Sequence, residues 1–377
     1  MSRPGYLIAA IGVSVSFVAL AQAPTRTDLP RRAWFGVALG PHENGAVVTA
    51  VADGSSAAAE GIRVGDLIRA VDGVVPRSPD DVVAAVVRHA AGDTAVIDLV
   101  REGMAQRRSV RLHSLPREVM PGVAFDYGAV VVPDGSRLRT ILSIPERRSG
   151  VLPAVLLLQG GGCGSVDTPI VPDVGQSGLV RTIAARGFVT MRVEKSGIGD
   201  SEGPPCSAIG YQEELDGYRA ALEALKRHPA VDAGRIHLLG ISLGGVFAPI
   251  VAGDSSVRSV IVYGTLVAPP SPYPGRSARF FREFSSVDVS AAWSTVDARV
   301  LVLRGEFDEL APQADHARIA AIVNARHSGA AIYRELAGLD HGWTRHLTME
   351  QSRGNSGKGE EVTTLADAVL EFLRDGN

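Results

Sequence analysis

Ser242 limits what this chain can fold into more than any other residue. It stands in Gly240-Ile241-Ser242-Leu243-Gly244, directly after the run Arg235 to Leu239. That run reads as a buried strand, and a helical pattern starts at Leu243. A strand turning sharply into a helix around a serine lifts the side chain above the sheet edge. Glycines two positions before and after the serine let strand and helix approach. The helix N-terminus favours negative charge developing beside it. A serine in a Gly-rich turn with no chemistry is the competing reading. The flanking strand and helix favour a nucleophile.

A serine is nucleophilic at neutral pH only beside a base, and the base needs an orienting acid. For a strand–serine–helix turn of this kind the chain order is serine, acid, histidine. The strand Arg299 to Leu303 runs into Arg304-Gly305-Glu306-Phe307-Asp308, so Asp308 is expected to be the acid, with Glu306 and Glu309 as competitors. His341, in Leu339-Asp340-His341-Gly342-Trp343, follows the last strand and is expected to be the base, with His346 as fallback. His316 and His327 read as ordinary surface residues of a helical stretch. The oxyanion needs two donors. One is the amide of Leu243. The other comes from Gln159-Gly160-Gly161-Gly162-Cys163-Gly164, where Gly161 is the choice and Gly160 the next. That Gly run lacks the Lys-Ser/Thr ending of a phosphate loop.

From Pro121 to the C-terminus, strand and helix patterns alternate, which implies an α/β fold with a mostly parallel sheet and helices on both faces. Ala154 to Leu158 is a continuous apolar strand, and a helix over about Ile209 to His228 carries Tyr211, Leu215, Tyr218, Leu222 and Leu225 on one face. Residues 265–294 read as a short cap. It contains Pro269, Pro270, Pro272 and Pro274 with Phe280, Phe281, Phe284 and Trp293. Those aromatics either line an apolar acyl or aryl site or anchor the cap to the core.

The N-terminus has a different character. Arg3 precedes the apolar run Tyr6 to Leu20, and Ala21-Gln22-Ala23 follows with small residues at the two positions a signal peptidase reads. Residues 1–23 therefore read as an export signal, an uncleaved anchor being the alternative. The run is short against the about 20 apolar residues of a membrane span. Export places the folded part in the periplasm or outside the cell. Residues 24–32 read as a linker. Residues 33–115 alternate short strands with Gly-rich turns. Ser78-Pro79-Asp80-Asp81 opens a helix with apolar Val82, Val83, Val86 and Val87, and Gly92 ends it.

Composition excludes several classes. With 45% hydrophobic and 21% charged residues the chain is globular, and a formal net charge of -3 offers no basic field for nucleic acid. Two cysteines, Cys163 and Cys206, exclude a multi-cysteine zinc site, and the 9 histidines form no HExxH motif, so no metal and no cofactor are expected.

Two resemblances emerge from these residues. Trp34-Phe35-Gly36-Val37, Ala57-Ala58-Ala59-Glu60-Gly61-Ile62, Val64-Gly65-Asp66-Leu67-Ile68 and Val71-Asp72-Gly73 occur in the order seen in a bacterial-type PDZ domain, which residues 33–115 resemble. The resemblance implies that a peptide C-terminus adds beside the sheet edge, its carboxylate held by the amides of Phe35, Gly36 and Val37. A module that only packs on its neighbour is the alternative.

Residues 121–377 resemble the α/β-hydrolase superfamily, and look most like secreted bacterial hydrolases of the dienelactone-hydrolase and prolyl-oligopeptidase-like branch. Further matches are Glu194-Lys195-Ser196-Gly197-Ile198-Gly199-Asp200-Ser201-Glu202-Gly203 and Val231-Asp232-Ala233-Gly234-Arg235-Ile236. Gln159 departs from the pattern, standing where many members have His before the glycines. The resemblance implies an exported serine hydrolase acting on a small-molecule or polymer carboxylic ester through an acyl-enzyme on Ser242. A prolyl-oligopeptidase-like peptidase is the alternative. A PDZ-mediated binding protein with an inactive hydrolase domain is the alternative from another class. The fold brings the loops of Cys163 and Cys206 to one sheet edge, which implies a disulfide between them, two buried free thiols being the alternative. It also makes Asp200 a structural hydrogen-bonding residue rather than a catalytic one.

Overall fold

Alternate residues of the strand Leu152–Leu158 enter two different cores. Ala154, Leu156 and Leu158 pack into one, Val155 and Leu157 into the other, and all five are fully buried. A strand buried on both faces needs helices on both sides. The computed structural model, which describes residues 29–171, 173–267 and 275–375, shows that arrangement. Residues 1–23, expected to be an export signal, residues 24–28 of the expected linker, and Pro269, Pro270, Pro272 and Pro274 of the expected cap lie outside the described residues.

The large sheet has 8 strands. Their spatial order is Ala331–Leu336, Arg299–Gly305, Ser259–Tyr263, Val231–Ile241, Leu152–Leu158, Val189–Val193, Arg137–Pro145, Val123–Val131. The first six run parallel; the last two form an antiparallel hairpin at the edge. The helices Tyr211–Lys226, Gly244–Gly253 and Gln313–Arg326 cover one face, Gly175–Ala184 and Thr364–Asp375 the other. The helix expected over 209–228 buries Tyr211, Leu215, Tyr218, Leu222 and Leu225. Each of the three leucines contributes about 1.5–3 kcal/mol of transfer free energy.

A separate 5-stranded antiparallel sheet lies ahead of it. Its order is Val37–His42, Gly45–Val51, Leu67–Val71, Thr94–Arg101, Met104–Arg111, which leaves Val37–His42 as an edge. Ser78 caps the helix Pro79–Val86 by accepting from the Asp81 amide at 3.2 Å. The helix ends at Val87 rather than running to Gly92. Its valines divide: Val82 and Val86 are buried in the core, whereas Val83 and Val87 remain 54% exposed.

The two parts are bonded together. Residues 29–32, expected to be linker, are not loose: Leu29 is 2% exposed, and the Arg31 guanidinium pairs with Asp167 and Asp200. In the segment that follows the small sheet along the chain, Glu118 is buried between Arg181 and Arg192. These pairs join charges far apart in sequence, so no local pattern announces them.

Candidate active site

The strand Val231–Ile241 ends one residue before Ser242, and the helix Gly244–Gly253 begins two residues after it. Ser242 has φ of 52°, in the left-handed region that non-glycine residues rarely adopt. Its amide is spent on the Tyr263 carbonyl at 2.8 Å, which ties the elbow to the neighbouring strand. The flanking glycines are sterically required. A Cβ on Gly244 would lie 1.9 Å from the Leu158 carbonyl oxygen, and one on Gly240 2.7 Å from the Gly245 Cα.

The structure brings Ser242, His341 and Asp308 into one hydrogen-bonded line. His341 Nε2 lies 3.0 Å from Ser242 Oγ, and His341 Nδ1 lies 2.8 Å from Asp308 Oδ2. Asp308 is 2% exposed; its other oxygen accepts from the amides of Leu310 and Ala311, each at 2.9 Å. That leaves it a single free edge, which faces the imidazole. The competing residues are elsewhere engaged. Glu306 accepts from the Gly338 amide at 2.8 Å, and Glu309 pairs with Arg353. His346, the fallback base, pairs with Asp340 at 2.8 Å.

Asp340 builds the turn that carries His341. Burial opposes its charge, but the Gly357 amide, the Thr344 hydroxyl and amide, and His346 together hold its carboxyl below the usual range. The Tyr263 hydroxyl donates to the Asp340 carbonyl. Gly357, 17 residues further along the chain, thus supplies one of the bonds behind the histidine turn.

One surface expectation is corrected. His327 is exposed beside Asp297, but His316 is fully buried. Its Nε2 accepts the Thr265 amide at 3.1 Å, and Nδ1 faces the Pro312 carbonyl at 2.9 Å. Desolvation pulls its pKa below the ordinary histidine value.

Gly161 and Leu243 both line a cavity of about 120 Å³ with Ser242, His341, Leu266, Phe280 and Phe281. The Gly160 amide is engaged by Gln176 Oε1 at 3.1 Å, so of the two loop glycines considered as donors Gly161 is the one that faces the cavity. Gln159 supports the loop, donating its amide to the Tyr218 hydroxyl at 3.0 Å and its side chain to the Val193 carbonyl. Cys163 and Cys206 form a disulfide with Cα atoms 5.7 Å apart. The cap aromatics divide: Phe280 and Phe281 line the cavity, while Phe284 and Trp293 are fully buried in the core. Lys195, Glu214 and Arg276, not singled out in the sequence, form a buried charged cluster behind the Gly run.

Phe35, Gly36 and Val37 lie on a second cavity, of about 390 Å³, between the edge strand and the helix Pro79–Val86. Val83 and Val87 face it, and Thr168 to Val171 of the larger part form its remaining wall. Gly36 has φ of 80°, and a Cβ there would lie 2.1 Å from the Ser55 Cβ. Among the described residues no His, Cys, Asp or Glu group is placed to hold a metal ion, and no helix is long and apolar enough to cross a membrane.

Comparison with known proteins agrees with both parts. A PDZ domain family model matches residues 33–112. Esterase EstD of Thermotoga maritima is 27% identical over 130 residues, 34% of this chain and 30% of that protein. A Brucella suis protein named "Probable periplasmic serine endoprotease DegP-like" is 30% identical over 99 residues, 23% of this chain and 19% of that protein. The chain thus spans a third or less of the length of these relatives. Among solved structures, Est1E of Butyrivibrio proteoclasticus with ferulic acid bound superposes with a TM-score of 0.50 at 17% identity, covering 67% of this chain and 98% of that one. That likeness is one of fold.

Proposed function

The chain carries a PDZ domain at 33–112 and an α/β-hydrolase fold behind it, and from that premise we propose an exported serine hydrolase that cleaves carboxylic esters. The observation that carries the reading is the line Asp308–His341–Ser242 on an elbow whose serine is held at positive φ. Similarity to an esterase and the fold likeness to Est1E support it.

In this reading Ser242 Oγ attacks the ester carbonyl carbon while His341 Nε2 takes its proton. Asp308 holds the imidazole in the tautomer with Nδ1 protonated and stabilises the imidazolium. The carbonyl oxygen becomes an oxyanion between the amides of Leu243 and Gly161. Collapse breaks the bond to the alcohol, which leaves with the proton from His341. Water then attacks the acyl-enzyme with His341 again as base, releasing the acid and restoring Ser242. The cavity of about 120 Å³ is small against pockets that enclose drug-sized ligands, so the acyl group is short or flat.

The disulfide supports an oxidising compartment and hence export of the folded chain. A peptide C-terminus is the expected ligand of the groove beside Val37–His42, its carboxylate on the amides of Phe35, Gly36 and Val37 and its apolar side chain against Val83 and Val87.

The test is hydrolysis of p-nitrophenyl acetate and a matched p-nitroanilide. The reading expects turnover of the ester that is lost in Ser242→Ala. Turnover of the anilide at a comparable rate would shift the assignment to a peptidase. Ester turnover that survives Ser242→Ala would overturn it.

A further inference from the structure

The Gly run that follows Leu152–Leu158 is bonded from behind by two buried cations. We propose that Lys195, with Arg276 beside it, is a positioning residue that aims the Gly161 amide at the oxyanion. The inference rests on the ester-hydrolase reading.

An ammonium has three donors. Lys195 Nζ has three acceptors within reach: the Gly160 carbonyl at 2.6 Å, the Gly162 carbonyl at 2.9 Å and Glu214 Oε1 at 3.0 Å. The intervening Gly161 carbonyl lies 3.5 Å from Arg276 Nη1. Arg276 also pairs with Glu214, stacks 4.0 Å over the Phe280 ring and lies 3.3 Å from Cys206 Sγ. The side chains of Lys195, Glu214 and Arg276 are each 1% exposed.

Peptide geometry turns these contacts into a direction. In a trans peptide the carbonyl of one residue and the N–H of the next point opposite ways. No cis peptide occurs among the described residues. With the Gly160 carbonyl drawn onto Lys195, the Gly161 N–H faces away from it. Gly161 lines the cavity shared with Ser242 and His341, whereas Lys195 lines a separate crevice with Glu214 and Tyr218.

Consecutive glycines need such a lock, since they rotate more freely than any other residues. Charge supplies the penalty for rotation. Lys195, Arg276 and Glu214 bring together two cations and one carboxylate, while the neighbouring buried Glu194 carboxylate is taken by the Ser165 hydroxyl and the Val166 amide, so the loop carbonyls complete the partners of the two cations. A peptide flip would strand a buried ammonium donor, and unpaired buried charge is costly.

The experiment compares Lys195→Met with the unsubstituted protein on p-nitrophenyl acetate, with phenylboronic acid as a tetrahedral mimic and benzoate as a ground-state ligand. Removing one oxyanion donor costs about 10²–10³ in kcat, and that fall is expected with KM within about twofold. Boronate affinity should fall with kcat/KM while benzoate affinity holds. A folded Lys195→Met protein, its disulfide intact, with kcat within about threefold of wild type overturns the inference. Should Lys195→Met not fold, Lys195→Arg keeps the buried charge but replaces the single compact nitrogen shared by both carbonyls with a longer, planar fork. It should lose at least about tenfold in kcat at unchanged KM, and wild-type kcat would overturn the inference. If the unsubstituted protein hydrolyses no ester, the underlying reading fails and takes the inference with it. If it does and the Lys195 variants match it, only the inference fails.

Discussion

The backbone N–H of Arg32 donates to Asp200 Oδ1 at 2.8 Å. The other oxygen of the same carboxylate takes the guanidinium of Arg31 at 2.6 Å and Nε of Arg139 at 3.0 Å. Asp200 therefore clamps the segment entering the PDZ domain onto the edge hairpin of the hydrolase sheet, with its own side chain fully buried.

Replacing Asp200 by Ala should cost about 3–5 kcal/mol, the scale for removing one partner of a buried ion pair. Urea unfolding measures it. The folded fraction should keep its small-ester kcat, because Asp200 bonds to no residue of the Ser242–His341–Asp308 line. An unchanged unfolding midpoint would contradict the clamp.

The three residues of the hydrogen-bonded line should fail as a unit. Ser242→Ala is expected to lower kcat on the roughly 10⁶-fold scale, and adding His341→Ala should cost little more. Asp308→Asn should be severe, whereas Glu306→Gln should be mild, since Glu306 only caps the Gly338 amide. Steady-state kinetics on one ester for the four variants decides it. A larger loss in Glu306→Gln than in Asp308→Asn would move the acid.

Much of this was legible in the chain because each group sits at a strand end with a local signature. Ser242 has its glycines, Asp308 follows Gly305, and His341 follows the last strand. The antiparallel hairpin Val123–Val131 and Arg137–Pro145 was not legible. Arg139, Thr140 and Ser143 break its apolar pattern, and all three are buried through long-range partners or packing. Lys195 and Arg276 escaped for the same reason: their partners Gly160 and Glu214 are distant in sequence. His316 did carry a signal. It shares helical spacing with buried Ile319, Ala320 and Val323, which places it on the inner face of Gln313–Arg326.

His316 should make stability depend on pH. Burial lowers its folded pKa below 6.5, so between the two values the unfolded chain binds more protons than the folded one. Stability then rises with pH through that window. It is fully present above about 6.5 and lost as pH falls toward the folded value. Protonation would also set an N–H against the Thr265 amide. His316→Gln should flatten the Tm profile between about pH 5 and 7. Parallel profiles for the two proteins would rule the histidine out.

Phe281 should set acyl length. It is partly exposed on the wall of the cavity of about 120 Å³ beside Leu266 and Ser242. Phe281→Ala should raise kcat/KM for p-nitrophenyl octanoate relative to acetate by about tenfold or more, within the range that apolar pocket contacts supply. An unchanged ratio across the chain-length series would place the acyl group elsewhere.

Everything proposed for the site depends on Ser242 being a nucleophile activated by His341. Mapping the adduct of a fluorophosphonate probe by peptide mass spectrometry tests it most directly. One modified residue, Ser242, is expected, with stoichiometric labelling that tracks loss of ester turnover, and labelling slowed by orders of magnitude in His341→Ala. An unlabelled Ser242 in folded protein, or an adduct on another residue that accounts for the lost activity, would contradict it.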